Sequence, residues 1–259
     1  MNAAPDDRLA PPWPHPLLAG LRLGRAGLVA VAALALLGPA HGAWLVVTRG
    51  RPSPFTCLFH RLVVAAMGIT VTVRGGRPRD NALLVANHLG WFDILALGAV
   101  VPATFVAKSD VRQWPVLGWM ARLQPTVFIE RGRRGTIAAQ VAALRKALNG
   151  GHVAMFPEGT TGDGSAVLPF RPALFAAAEG FAVQPVAIGY RERKAGAWGA
   201  CGLQAWVWDG DKPFGTHFVR AIACGGAHCT IEFLPRPEAV ARKQLAETCR
   251  DAIAASLCL

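Results

Sequence analysis

The chain has 259 residues, 53% of them hydrophobic and 17% charged, with a formal net charge of +11. Such apolarity excludes an intrinsically disordered chain, which needs low hydrophobicity, while the basic charge admits nucleic acid, an anionic membrane or an anionic small molecule as partner. A single Tyr, and Trp residues in mostly apolar contexts, lack the aromatic and basic interleaving of a single-strand binder, so an anionic membrane and no nucleic acid is expected. Residues 1–16, with "APPWPHP", read as a disordered tail. Residues 17–50 read as a membrane anchor. From Ala26 to Thr48 there is no Asp, Glu, Lys or Arg, and a helix of that length reaches about 34 Å against a bilayer core of about 30 Å. Gly38 and Pro39 interrupt the run, so a spanning helix and a re-entrant hairpin are both open. Arg22 and Arg25 on one side and Arg49 and Arg51 on the other leave the orientation unset. A signal peptide, with "AHGA" as its cleavage site, is the competing reading. The run "FTCLFHRLVVAAM" follows, amphipathic enough to lie in an interface.

Residues 51–259 read as one α/β domain with a mixed, largely buried sheet flanked by helices. Strands are predicted at Ala82–Asn87, Thr104–Ala107, Thr126–Glu130, His152–Phe156, Val183–Ile188, Gln204–Trp208 and Cys229–Leu234. Helices are predicted at Phe92–Val101, Val111–Leu123, Thr136–Leu148, Pro172–Glu179 and Pro237–Ser256. This alternation is that of an α/β fold. The six cysteines include no C-x-x-C pair, and the spacing in "CGGAHC" is wrong for a zinc site, so no metal is expected and reduced thiols facing the cytosol fit.

Four stretches fall at or near strand ends, where α/β folds place their sites. In "VANHLGWFDILAL", His88 and Asp93 are five apart, which on a regular helix would turn them roughly 140° from each other. They can cooperate only across a turn, and Gly90 offers one. An imidazole held by a carboxylate there suits general-base work. Taken alone, the pair also reads as a polar turn residue and an early-helix acid favoured by the dipole, which for an isolated His and Asp is the commoner case. "VFIERGRRG" runs a strand into Arg131, Arg133 and Arg134, whose guanidinium groups suit bidentate phosphate binding or simply form a solvated loop. "MFPEGTTGDG" places Glu158, Gly159 and Thr160 in a glycine loop whose N–H groups can cradle a polar head group. "VQPVAI" is a buried strand whose Pro185 must sit where a missing N–H does no harm.

In this order, H-x-x-x-x-D, F-I-x-R, F-P-E-G-T and V-x-P-V-A-I resemble the four blocks of the glycerolipid acyltransferase family, from about Ala82 to Tyr190, behind an apolar anchor typical of that family. The resemblance implies His88 as general base on the acceptor hydroxyl and Asp93 as the acid that orients it. It implies Arg131, with Arg133 beside it, on an anionic head group, Glu158, Gly159 and Thr160 around the acceptor pocket, and Pro185 positioning the site or the donor. No cofactor is implied. The donor would be an acyl thioester on coenzyme A or acyl carrier protein, the acceptor a lyso-lipid, and the location the inner membrane with its site facing the cytosol. No serine lies in a G-x-S-x-G elbow and no cysteine lies in the four blocks, which agrees with direct attack by the acceptor. Thr161 departs from the arginine common after F-P-E-G-T in the lysophosphatidate branch, and "EGTTGDG" with "LPFRPALF" is similar to the branch that acylates lyso-ornithine lipid. Lysophosphatidate, the commoner acceptor in the family, is expected narrowly ahead of lyso-ornithine lipid. An acyl-thioester hydrolase and a non-catalytic membrane scaffold are the alternatives from other classes.

Overall fold

The computed structural model describes residues 16–114, 117–130, 134–192, 206–208, 213–238 and 241–259. Seven strands form one sheet in the order β1-β7-β6-β2-β5-β3-β4, built from β1 (Thr70–Arg74), β2 (Ala82–Ala86), β3 (Ala103–Lys108), β4 (Thr126–Ile129), β5 (His152–Met155), β6 (Ala182–Glu192) and β7 (Ala227–Phe233). All neighbouring pairs are parallel except β6 with β7, so the sheet is mixed as expected. Six of the expected strands form; "WVW" at Trp206–Trp208 does not, and Gln204 and Ala205 lie outside the described residues. β1 was not anticipated, although the alternation in "TVTVR" marks a half-exposed edge strand.

Central strand β2 explains why two layers of helix are needed. All five of its residues are buried, and strand geometry sends alternate side chains to opposite faces. Ala82, Leu84 and Ala86 join the core under α2 (Pro54–Ala66), α3 (Phe92–Gly98) and α6 (Phe214–Cys224). Leu83 and Val85 join the core under α5 (Ile137–Gly150), α7 (Arg242–Leu257) and the 3₁₀ segment Pro172–Ala178. Helix α6 was also unanticipated; its Phe218, Ala221 and Ile222 follow the i, i+3, i+4 spacing of a packed face. The helix expected at Val111–Leu123 is instead a 3₁₀ turn, Ser109–Gln113, and α4, Leu117–Leu123. Trp114 between them is extended, with ψ at 131°, because the residue before a proline is pushed out of the helical region.

The N-terminal segment is one continuous helix, α1 (Pro16–Val47), of 32 residues. It passes through Gly38 and Pro39 rather than folding back, so the re-entrant hairpin is not what forms. By length and composition it is sufficient to cross a bilayer. It is also fastened lengthwise to the domain. Arg22 donates to the Ala223 carbonyl, Arg25 to that of Ala66 at 2.7 and 3.0 Å, and His41 Nε2 meets Leu123 O at 2.5 Å. Trp44 stacks edge-on with Phe55. From Arg22 to Trp44 these ties span about 33 Å of helix. Helix α2 starts at a Ser53 cap, whose Oγ accepts from Phe55 N at 3.1 Å, with Pro54 in the first turn. Rather than lying free, α2 buries His60 against Gly98 of α3, where a Cβ would come within 2.1 Å of the imidazole. Cys57, Cys229, Cys249 and Cys258 are free thiols. Cys224 is disulfide-bonded, a departure from the expectation of reduced thiols throughout.

Candidate active site

The turn after β2 holds His88. It is shaped by Asn87, whose side chain continues the β2–β6 ladder: Nδ2 donates to Ile188 O at 2.9 Å, and Oδ1 accepts from Ile188 N at 2.8 Å. That double bond stops the strand at a defined residue. Asp93, in the first turn of α3, then closes the loop on itself. Its Oδ2 accepts from Leu89 N at 2.7 Å and Gly90 N at 2.9 Å, and lies 2.8 Å from His88 Nδ1. The sequence spacing is thereby explained: the carboxylate reaches back across the turn to both the backbone and the imidazole. Asp93 is fully buried, while the His88 side chain remains 18% exposed. The contact lets Nδ1–H donate to the carboxylate, which would leave the Nε2 lone pair for a proton.

A second loop, after β5, supports the first. β5 is parallel to β2 and adjacent to it, so both loops emerge at the same sheet edge. Phe156 stacks on the imidazole at 4.2 Å between ring centres, with 15° between planes. Glu158 holds the turn from behind: Oε1 accepts from His88 N at 2.7 Å and Oε2 from Leu168 N at 3.0 Å. Gly162 N donates to His88 O at 3.1 Å. Burial raises Glu158 to about 7, against the two N–H bonds and the His88 charge that lower it, with Asp93 adding to the rise. Gly159 has φ at +76° and lies within 3.0 Å, by its missing Cβ, of the Arg171 guanidinium, so only glycine fits there comfortably. Thr160 is exposed at the loop.

Of the other expected site residues, Pro185 pairs with Val85 inside the sheet, three residues short of His88 and so about 10 Å down the strand. Its carbonyl accepts from Leu234 N at 3.0 Å. It belongs to the frame of the site rather than to its rim. Arg131 and Arg133 lie outside the described residues. Sequence reasoning missed Asn87, Phe156 and Tyr190; the last donates to Asp93 Oδ1 at 3.0 Å. It also missed the aromatic band beside the turn. Trp208 N donates to Leu89 O at 2.8 Å, bringing Trp208 against Trp114 and Phe214, while Trp91 stacks on Phe218. Among the described residues no three His, Cys, Asp or Glu side chains gather into a metal-holding group.

A partly exposed histidine, a buried carboxylate bonded to it and an apolar flank lie together at one end of the sheet, an arrangement able to activate a hydroxyl. Comparison with known proteins gives the class. The sequence model of the Acyltransferase family matches residues 68–189. The lyso-ornithine lipid O-acyltransferase of Brucella abortus is 37% identical over 248 residues, covering 89% of this chain and 92% of that protein. The corresponding protein of Rhodobacter capsulatus is 35% identical over 268 residues, covering 94% and 93%. The 1-acyl-sn-glycerol-3-phosphate acyltransferase of Neisseria meningitidis is 40% identical over 136 residues, covering 51% and 52%. The crystal structure of the 1-acyl-sn-glycerophosphate acyltransferase of Thermotoga maritima shares the fold, with a TM-score of 0.50 at 18% identity over 91% of this chain and 96% of that one. The chain belongs to the acyltransferase family, and it is an acyltransferase of the lysophospholipid type.

Proposed function

We propose that the protein moves a fatty acyl group from an acyl thioester, on coenzyme A or acyl carrier protein, to the free hydroxyl of lyso-ornithine lipid. The observation that carries the mechanism is the His88–Asp93 pair, held at 2.8 Å with the acid fully buried. His88 Nε2 takes the proton of the acceptor hydroxyl as its oxygen attacks the thioester carbonyl. Asp93 stabilises the imidazolium so formed, as a buried acid does in other His-based acyl transfer. Collapse of the tetrahedral intermediate breaks the C–S bond, and the imidazolium returns its proton to the departing thiolate. An ester and a free thiol leave, and no residue is acylated. The half-exposed Trp114, Trp208 and Phe214 give the acyl chain an apolar surface beside the base.

The choice of acceptor rests on extent of likeness. The two relatives named for lyso-ornithine lipid align over 89% and 94% of this chain, against 51% for the Neisseria protein named for 1-acyl-sn-glycerol-3-phosphate. Thr161, in place of an arginine, agrees. This reverses the order of acceptors expected from the sequence. Lysophosphatidate stays as the second reading because the Arg171 guanidinium packs on Gly159, within the E-G-T loop, where an anionic head group would find it.

The site works at a membrane surface. Leu17, Leu21, Leu28, Val31 and Leu36 of α1 are each at least two-thirds exposed, an apolar stretch of the kind that lipid covers. Because α1 is tied to the domain at both ends, the helix and the acceptor-binding edge share one body. Acyl thioesters are made in the cytosol, which favours the cytosolic face of the inner membrane. An acyl-transfer assay in mixed micelles, with labelled acyl thioester and either lyso-ornithine lipid or lysophosphatidate, tests the proposal. Product with the first alone is expected; product with lysophosphatidate alone overturns the acceptor, and thioester loss without ester product overturns transfer in favour of hydrolysis.

A further inference from the structure

Tyr190 is the only tyrosine in the chain. It ends the V-x-P-V-A-I-G-Y run on β6, pairs in register with Cys229 of β7, and is buried at 6% exposure. Its hydroxyl donates to Asp93 Oδ1 at 3.0 Å, whereas Oδ2 of the same carboxylate takes Leu89 N, Gly90 N and His88 Nδ1. The two oxygens thus have different partners from different elements: Oδ2 serves the turn, and Oδ1 is met from the neighbouring strand.

We propose that Tyr190 is a positioning residue for acyl transfer, whose hydroxyl fixes the plane of the Asp93 carboxylate and sets how strongly that carboxylate holds the His88 imidazolium. The inference rests on the reading of His88 as the base. A buried carboxylate needs donors on both oxygens, and an unmet one carries the full desolvation penalty. A neutral phenol supplies the second donor without cancelling the charge, where a lysine or arginine would neutralise Asp93 and weaken its pull on the imidazolium. The phenol remains a donor throughout the working range, since burial, followed by Cys229 and Asp93, pushes its ionisation well above the ordinary tyrosine value. Cys229 is itself driven up to about 12 by burial and stays a neutral thiol. Among the described residues, the titratable groups facing the pair include Glu158 from the loop after β5, Tyr190 from β6, Cys229 from β7, and His217 of α6 behind Trp91 and Phe92.

Tyr190→Phe removes one oxygen and leaves the ring. With one donor fewer, Asp93 becomes the stronger partner for the imidazolium, so His88 holds its proton to higher pH. The acidic limb of the kcat/KM profile, which reports the base of the free enzyme, is expected to move alkaline by about one pH unit. That is about a tenfold loss of transfer below the limb, with recovery above it. A purely structural role gives the same loss at every pH with the limb unmoved, and overturns the proposal. His88→Ala, assayed in the same micelles, separates the two levels of inference. If it retains transfer, the base reading falls and this one with it; if it is inactive while the Tyr190→Phe limb stays put, the positioning role alone falls. A measurement on the intact fold guards against a misfolded variant. Fluorotyrosine incorporated into the full chain gives a single fluorine resonance, expected to shift on Asp93→Asn, and an unshifted line overturns the contact.

Discussion

The turn at His88 and helix α1 invert the usual rule of burial in opposite directions. At the turn, the polar groups are inside: Asp93 is fully buried and Glu158 is 4% exposed. On α1 the apolar groups are outside, with Leu36 78% and Val46 81% exposed. A charged side chain is almost never fully buried without partners, and a contiguous exposed apolar stretch in a soluble protein marks a contact surface. Each inversion is tolerated for a different reason. Asp93 is compensated by four hydrogen bonds from named donors, whereas among the described residues the outer face of α1, with Leu28, Leu36 and Val46, stays largely uncovered. The first is a polar cluster satisfied by its own hydrogen bonds, and the second is an exposed apolar surface of the kind that contacts an apolar partner.

Breaking the polar side of this contrast should have the largest effect. His88→Ala is expected to lower transfer by at least about a hundredfold, the usual scale of a lost general base, while vesicle flotation shows membrane binding unchanged. Retained turnover with an intact binding curve would remove the mechanism. Next comes Glu158→Gln, which swaps one acceptor oxygen for an amide and leaves the N–H of His88 or Leu168 facing another donor. About 1–3 kcal/mol of stability should be lost in denaturant titration, as for any orphaned buried donor, and transfer should fall because the turn that carries His88 loosens. The same residue makes stability depend on pH. Its value is raised from 4.5 to about 7 in the folded chain, so across that window the native state holds a proton that the unfolded chain has released. The contribution is complete below pH 4.5 and declines as pH rises through 7. Glu158→Gln should flatten that part of the curve, and an unchanged slope would place the titration elsewhere.

The apolar side should respond in the reverse pattern. Leu28→Glu together with Leu36→Glu removes two side chains that are 72% and 78% exposed. Flotation with anionic vesicles should weaken clearly, while melting in detergent shifts by no more than about 0.5 kcal/mol, the scale of surface substitutions. A large loss of stability would mean that this face of α1 packs on protein after all.

How much was readable beforehand differs between the two regions for a physical reason. Local pattern carries strand and helix periods, and the buried runs at Leu83–Ala86 and Val183–Ile188 were legible because central parallel strands are apolar on both faces. The edge strand Thr70–Arg74, whose alternation runs for only five residues, and the 11-residue helix α6 were not anticipated. Motif order pointed to His88, Asp93 and Glu158, yet the spacing alone left open whether the first two touch.

By itself, then, the sequence determined an α/β domain behind an apolar helix, with a histidine and an aspartate at one strand end, because these follow from hydrophobic period and residue chemistry over short spans. Only the tertiary structure decided what those groups do to each other. That Glu158 grips the backbone of His88 seventy residues away, that Tyr190 on β6 meets Asp93 across the sheet, and that α1 runs unbroken through Pro39 along the domain are long-range contacts. A carboxylate, a phenol and a proline carry no mark in sequence of which distant partner will satisfy them.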